Sequence, residues 1–147
     1  MKAGFLLDVN VLIAMAWPTH RNHEKVLEWL ARHAREGWAN VPIDPDELCA
    51  HSLESGFFTK RTHPDGCALT PLQANLAHPA HRFWADEVSL IDSLQPFVQK
   101  LGGHQQVTDA YLLGLAIHKK GKLVTMDRAV RTLLPNRSPE RDFVILI

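Results

Sequence analysis

The 147 residues are the length of one ordinary domain, enough to bury a core without disulfide or metal staples, so a single domain over 1–147 is expected. Sixteen Lys and Arg balance sixteen Asp and Glu, which excludes a globally cationic nucleic-acid field while leaving room for a local basic rim. Cys49 and Cys67 lack CxxC spacing, and the opening apolar run meets Asp8 too soon for a membrane span or a signal peptide, so reduced thiols in a cytoplasmic, membrane-free protein are expected.

Ala3 to Leu7 reads as a central strand buried on both faces and ended by Asp8. Val9 to Trp17 follows as a short helix stopped by Pro18. Thr19 is placed to cap a second helix, whose Val26, Leu27, Trp29 and Leu30 make an apolar stripe running up to Gly37. Trp38 to Ile43 is strand-like, and Asp44-Pro45-Asp46-Glu47 opens a helix over Asp46 to Lys60. Turn formers from Thr62 to Gly66 make a loop, after which Thr70-Pro71 supplies an N-cap and first helical position for a helix through Leu72 to Ala77.

His81 to Trp84 is a short strand, and Ile91 to Leu101 a helix that Pro96 kinks or delays, ended by Gly102-Gly103. Thr108 to Lys120 is apolar nearly all round, as a helix packed inside the fold must be, with His118, Lys119 and Lys120 in its last turn and Gly121 as C-cap. Lys122 to Met126 is a strand ended by Asp127, Arg128 to Leu134 a helix, Pro135 to Arg141 a loop, and Phe143 to Ile147 the last strand. Strands alternating with helices predict an α/β protein: a three-layer α/β/α sandwich with a central, mainly parallel, twisted sheet.

Asp8, Asp109 and Asp127 dominate this pattern, because the carboxyl ends of parallel strands form the ligand crevice of such a fold. Carboxylates that converge there repel one another, and a hard divalent cation such as Mg²⁺ is the partner that keeps them ionised together. Each acid also has a plainer use. Asp8, followed by Asn10, is placed to cap the helix starting at Val9, Asp127 to cap the one starting at Arg128, and Asp109 beside Thr108 to complement a helix dipole. Capping and metal binding are compatible.

The segments DVNVL, T-D-A-Y-L-L-G-L-A and L-V-T-M-D-R, together with Leu53 to Phe58 and His81 to Trp84, resemble the PIN-domain nucleases, in particular the VapC-like endoribonuclease toxins of bacterial toxin–antitoxin pairs. The resemblance spans nearly the whole chain. It implies a PIN-like fold and a four-acid site of Asp8, Glu54, Asp109 and Asp127 that binds Mg²⁺, with Mn²⁺ as a substitute, and hydrolyses RNA by in-line attack. Glu54 stands where the family's acid precedes a small-Gly-Phe motif, while Glu47, seven residues earlier on the same helical face, is the alternative ligand. Asn10 and Thr125 are short polar neighbours of the acids and candidate donors to their oxygens.

RNA phosphates need cationic contacts near the acids, and Lys60, Arg61, Arg128 and Arg131 are the candidates. The resemblance further implies an antitoxin whose C-terminal segment lies across the site, and pairing as a homodimer. Val11, Leu12 and Met15, with Phe57 and Phe58, are candidates for an apolar groove that takes an antitoxin helix, and core burial is the alternative for each. His20, His23, His78 and His81 have no third zinc ligand at clear spacing and read as solvated surface; Trp17, Trp29, Trp38 and Trp84 read as packing residues. Two rival functions stay open. A phosphoaspartate enzyme is disfavoured because Asp8-Val9-Asn10 lacks a second Asp, and a catalytically inactive PIN-fold module for binding RNA or protein is separable by its indifference to metal.

Overall fold

The computed structural model describes residues 4–41, 69–85 and 87–147. Five strands, β1 (Phe5–Leu7), β2 (Trp38–Asn40), β3 (His81–Phe83), β4 (Lys122–Thr125) and β5 (Val144–Leu146), form one sheet in the order β3-β2-β1-β4-β5. Every neighbouring pair is parallel, so the sheet among the described residues is wholly rather than mainly so. The helices are α1 (Val9–Ala16), α2 (His23–His33), α3 (Leu69–Leu76), α4 (Leu90–Leu94) and α5 (Gln105–His118), with 3₁₀ turns at Ala34–Glu36, Gln95–Phe97, Arg128–Leu133 and Pro139–Phe143.

Successive strand residues face opposite sides of a sheet, and the two cores follow that alternation. Leu6 and Leu123 pack with Leu112, Leu113, Leu115 and Ala116 of α5 on one side. Phe5, Leu7 and Val124 pack with Val11, Leu12 and Met15 of α1 on the other. The three layers follow, and each leucine fully buried in them contributes roughly 1.5–3 kcal/mol. The strand order places the switch point between β1 and β4, where the chain turns from building one half of the sheet to the other.

Two close approaches hold the layers. A Cβ on Gly114 of α5 would lie 2.6 Å from the Ser93 carbonyl oxygen, so α4 and α5 cross at a distance that only glycine permits. A Cβ on Gly121 would lie 2.5 Å from the Gly4 carbonyl oxygen and meet the Trp84 ring, which seats the start of β4 against β1. Gly121 is therefore a packing residue rather than a C-cap. Lys120, with φ 56°, takes the left-handed turn at the end of α5.

Several boundaries differ from expectation. α5 begins at Gln105, so Asp109 lies in its second turn rather than at the helix start. Asn22, not Thr19, occupies the N-cap position of α2, and Leu27 is 41% exposed, off the buried stripe. The helix expected over Ile91 to Leu101 is α4, capped by Ser89, whose hydroxyl accepts from Asp92 N, followed by a 3₁₀ turn that accommodates Pro96. Thr70 lies inside α3. Residues 128–133 wind as 3₁₀ rather than α, and the expected loop before β5 contains a 3₁₀ turn.

Val11, Leu12 and Met15 are at most 4% exposed and belong to the core, which removes them from any docking groove. Phe57 and Phe58 lie outside the described residues. The histidines are not all solvated either: His20 and His81 are buried. The His81 ring packs against Trp38 and Phe83, and its Nε2 lies 2.5 Å from Asn40 Oδ1. Trp17 and Trp38 are buried, and Trp29 stacks on His33, in keeping with packing roles.

Candidate active site

Asp8 leaves β1 in extended conformation and becomes the N-cap of α1, its Oδ1 accepting from Val9 N at 2.7 Å. Its backbone N donates to Val124 O across the β1–β4 switch point. The capping use is thus real, and it occupies one carboxylate oxygen. The other, Oδ2, accepts a 2.7 Å hydrogen bond from the hydroxyl of Thr125, the last residue of β4. Asp8 is 6% exposed and Thr125 fully buried, so this is a charge-assisted bond sheltered from water.

Thr125 Oγ1 is a junction. It donates to Asp8 and accepts from Asp127 N at 3.0 Å and from Asn10 Nδ2 at 3.3 Å. Asn10 Oδ1 in turn accepts from Met126 N. Asp127 projects from an exposed position and caps the following 3₁₀ turn through Oδ1, which accepts from Ala129 N at 2.8 Å. One buried hydroxyl thereby ties together the segments that carry Asp8, Asn10 and Asp127, although 115 or more residues separate the two strands' ends in the chain.

Asp109 is half-buried beside the fully buried Ala110. A helix that leads into a parallel strand runs antiparallel to it, so the Asp109 end of α5 lies toward the carboxyl edge of the sheet. Among the described residues, however, no three His, Cys, Asp or Glu side chains come together as a metal-holding set. Asp8 and the backbone of Asp127 are linked through Thr125. Glu54, Glu47, Lys60 and Arg61 lie outside the described residues.

The basic residues are more informative in space than in sequence. Arg128 and Arg131 line an open cleft of about 440 Å³ together with Lys25, Met126, Leu146 and Ile147. Lys25 escaped sequence reasoning because a lysine on the polar face of an amphipathic helix carries no mark of what stands opposite it. Among the described residues, no helix is long and apolar enough to cross a membrane.

No family model matches the chain. Curated relatives do. Ribonuclease VapC38 of Mycobacterium tuberculosis is 39% identical over 140 residues, covering 90% of this chain and 91% of its own length. Ribonuclease VapC39 of the same organism is 36% identical over 125 residues, with 85% and 89% covered. Ribonuclease VapC44, also of that organism, is 33% identical over 132 residues, with 85% and 87% covered.

Proposed function

Because this chain belongs to the VapC-like PIN-domain family, we propose that it is an endoribonuclease, dependent on Mg²⁺ or Mn²⁺, that serves as the toxin of a toxin–antitoxin pair. The observation that carries the reading is the Asp8–Thr125–Asp127 tie at the switch point of a wholly parallel sheet.

The donors suit such an ion. Asp8 and Asp127 offer hard carboxylate oxygens, and each bond they accept from Val9, Thr125 or Ala129 takes only one of an oxygen's two lone pairs. Mg²⁺ commonly takes few protein carboxylates and fills the remaining positions with water and substrate oxygens, which agrees with a site built on a small set of acids. In this proposal Asp8 and Asp127 are the direct ligands. Asp109 and the fourth acid, Glu54 with Glu47 as its alternative, ligate directly, through water, or orient the attacking water. When bound, the ion supplies positive charge against the non-bridging phosphate oxygens and makes water a better nucleophile.

The protein's own contribution is to hold those oxygens still. The Thr125 hydroxyl fixes the rotation of the Asp8 carboxylate and, through Asp127 N, the backbone from which the second acid projects. Asn10 buttresses both, bonding Thr125 and Met126 N. The cognate antitoxin, a homodimeric state and a cytoplasmic location belong to the same proposal and rest on family membership.

The test is cleavage of RNA by purified Asp8→Asn, which keeps the side-chain shape and removes its charge. Cleavage by the parent in Mg²⁺ or Mn²⁺, its loss in chelator, and its loss in the variant are expected. Asp8→Asn cutting at the parental rate overturns the mechanism, and RNA binding indifferent to metal with no cleavage identifies a binding module instead.

A further inference from the structure

The cleft beside the acids has a composition of its own. Lys25, Arg128 and Arg131 wall it, while Met126, Leu146 and Ile147 supply its apolar surface. The three cations are exposed, and neither ion pair among the described residues, Arg32–Glu28 or Lys119–Glu87, involves them. Among the described residues, no acidic side chain lines the cleft. Three like charges facing one concavity raise its potential and favour an anion there.

The cleft is also continuous with the site. Met126 lies between Thr125 and Asp127 in the chain, its N–H donating to Asn10, and Ile147 N donates to Thr125 O. Arg128 directly follows Asp127. Any strand whose phosphodiester sits at the two acids and runs toward the β5 edge crosses this concavity.

We propose that the cleft is a nucleotide subsite, in which Lys25 and Arg131 hold the phosphate of a nucleotide neighbouring the scissile bond while its ribose and base rest on Met126, Leu146 and Ile147. This rests on the ribonuclease reading above. A nucleotide is an anionic group joined to a flat, largely apolar one, and single-stranded RNA is bound by that pairing of cations with surfaces on which bases lie. Arg128 bridges the subsite and the acids, and so contacts the strand between the two. The cleft thus sets how the strand is laid across the acids, and it selects for length on one side of the cut.

The probe is a fluorescently labelled, mixed-sequence single-stranded RNA oligonucleotide, with binding measured in Mg²⁺ on the Asp8→Asn background so that cutting does not consume it. Adding Lys25→Ala and Arg131→Ala together is expected to weaken binding at least tenfold. It is also expected to lower the slope of log affinity against log salt by about 1.4, since each phosphate contact to a single strand contributes ~0.7. The charge-keeping pair Lys25→Arg and Arg131→Lys should stay within about threefold of the background protein, and a thermal melt confirms that these surface changes leave the fold intact. Unchanged affinity and slope in the alanine pair overturn the subsite. So does unchanged RNA affinity with weakened capture of a copurifying acidic antitoxin segment, which would assign the cleft to the protein partner. The ribonuclease reading fails separately, if Asp8→Asn cuts like the parent, so the two failures are distinguishable.

Discussion

Replacing Thr125 by valine removes one buried hydroxyl and keeps the branched shape, which makes it the sharpest probe of the site. The lost bond to Asp8 Oδ2 is 2.7 Å long, charge-assisted and shielded, since Asp8 is 6% exposed and Thr125 0%. A hydrogen bond to a charged group is worth ~1.5–3 kcal/mol, and the two weaker bonds from Asp127 N and Asn10 Nδ2 add up to about 1 kcal/mol, so Thr125→Val should destabilise by roughly 2–4 kcal/mol. At ~2–4 °C per kcal/mol for a domain of this size, the melting temperature should fall by roughly 4–16 °C. Thr125→Ser keeps the hydroxyl and gives up one methyl, at a cost of about 0.5–1.5 kcal/mol. Urea titrations of the three proteins at pH 7 measure the stabilities, and RNA cleavage in Mg²⁺ provides the second readout. Loss of a group that orients a ligand typically lowers activity ~10–100-fold, so Thr125→Val should lose activity on that scale and Thr125→Ser should recover most of it. A Thr125→Val protein within about 0.5 kcal/mol of the parent would refute the energetic role given to the junction, a difference ordinary for surface changes. Parental cleavage by Thr125→Val would refute its positioning role.

Gly114→Ala should destabilise by about 1–3 kcal/mol, because its Cβ would meet the backbone of Ser93 and a carbonyl cannot swing aside as a flexible side chain does; calorimetry reads the loss, and an unchanged melting temperature would show that α4 and α5 separate freely. Burial pushes the His81 imidazole below its ordinary value, the Leu76 carbonyl opposing this and the Arg82 charge reinforcing it. Burial likewise lowers His20, helped by the charges of Arg21 and His23. Both rings are therefore protonated more readily in the unfolded chain, so stability is full above the unfolded value of ~6.5 and declines as pH falls from there toward the lowered folded values. Melting temperatures measured between pH 7.5 and 5 should show that decline, and His81→Gln should flatten part of it; a parent insensitive to pH in that range would contradict the assignment. Glu87→Ala should leave stability close to the parent's, because water screens the pair with Lys119 at the surface, although the bond and charge of that lysine hold the Glu87 carboxyl below its ordinary range; a clear loss in urea titration would show that the pair anchors the start of α4.

Local order was legible in the chain because it is written in neighbouring residues. An apolar triplet closed by Asp8, and a Leu-Val pair ended by Thr125 and followed by Asp127, are strand-to-cap signals wherever they occur, and both acids do cap. Alternation of strands and helices led to the parallel three-layer class, and short polar residues beside the acids singled out Asn10 and Thr125. Helix starts were less legible. The beginning of α5 at Gln105 carries no side-chain cap, so Thr108 and Asp109, the nearest residues with capping chemistry, drew the expected boundary toward themselves.

What tertiary structure alone decided is adjacency. Setting β4 beside β1 brings a hydroxyl to a carboxylate 117 residues away, and no spacing rule contains that distance. The same holds for Lys25, which meets Arg128 and Arg131 only because α2 and the carboxyl ends of β4 and β5 share one concavity, and for Val11, Leu12 and Met15, which the second layer encloses rather than leaves open. Propensity and capping act over a few residues and can be read in order along the chain, whereas burial and the pairing of charges depend on which distant segment fills the space opposite, a property of the packed fold.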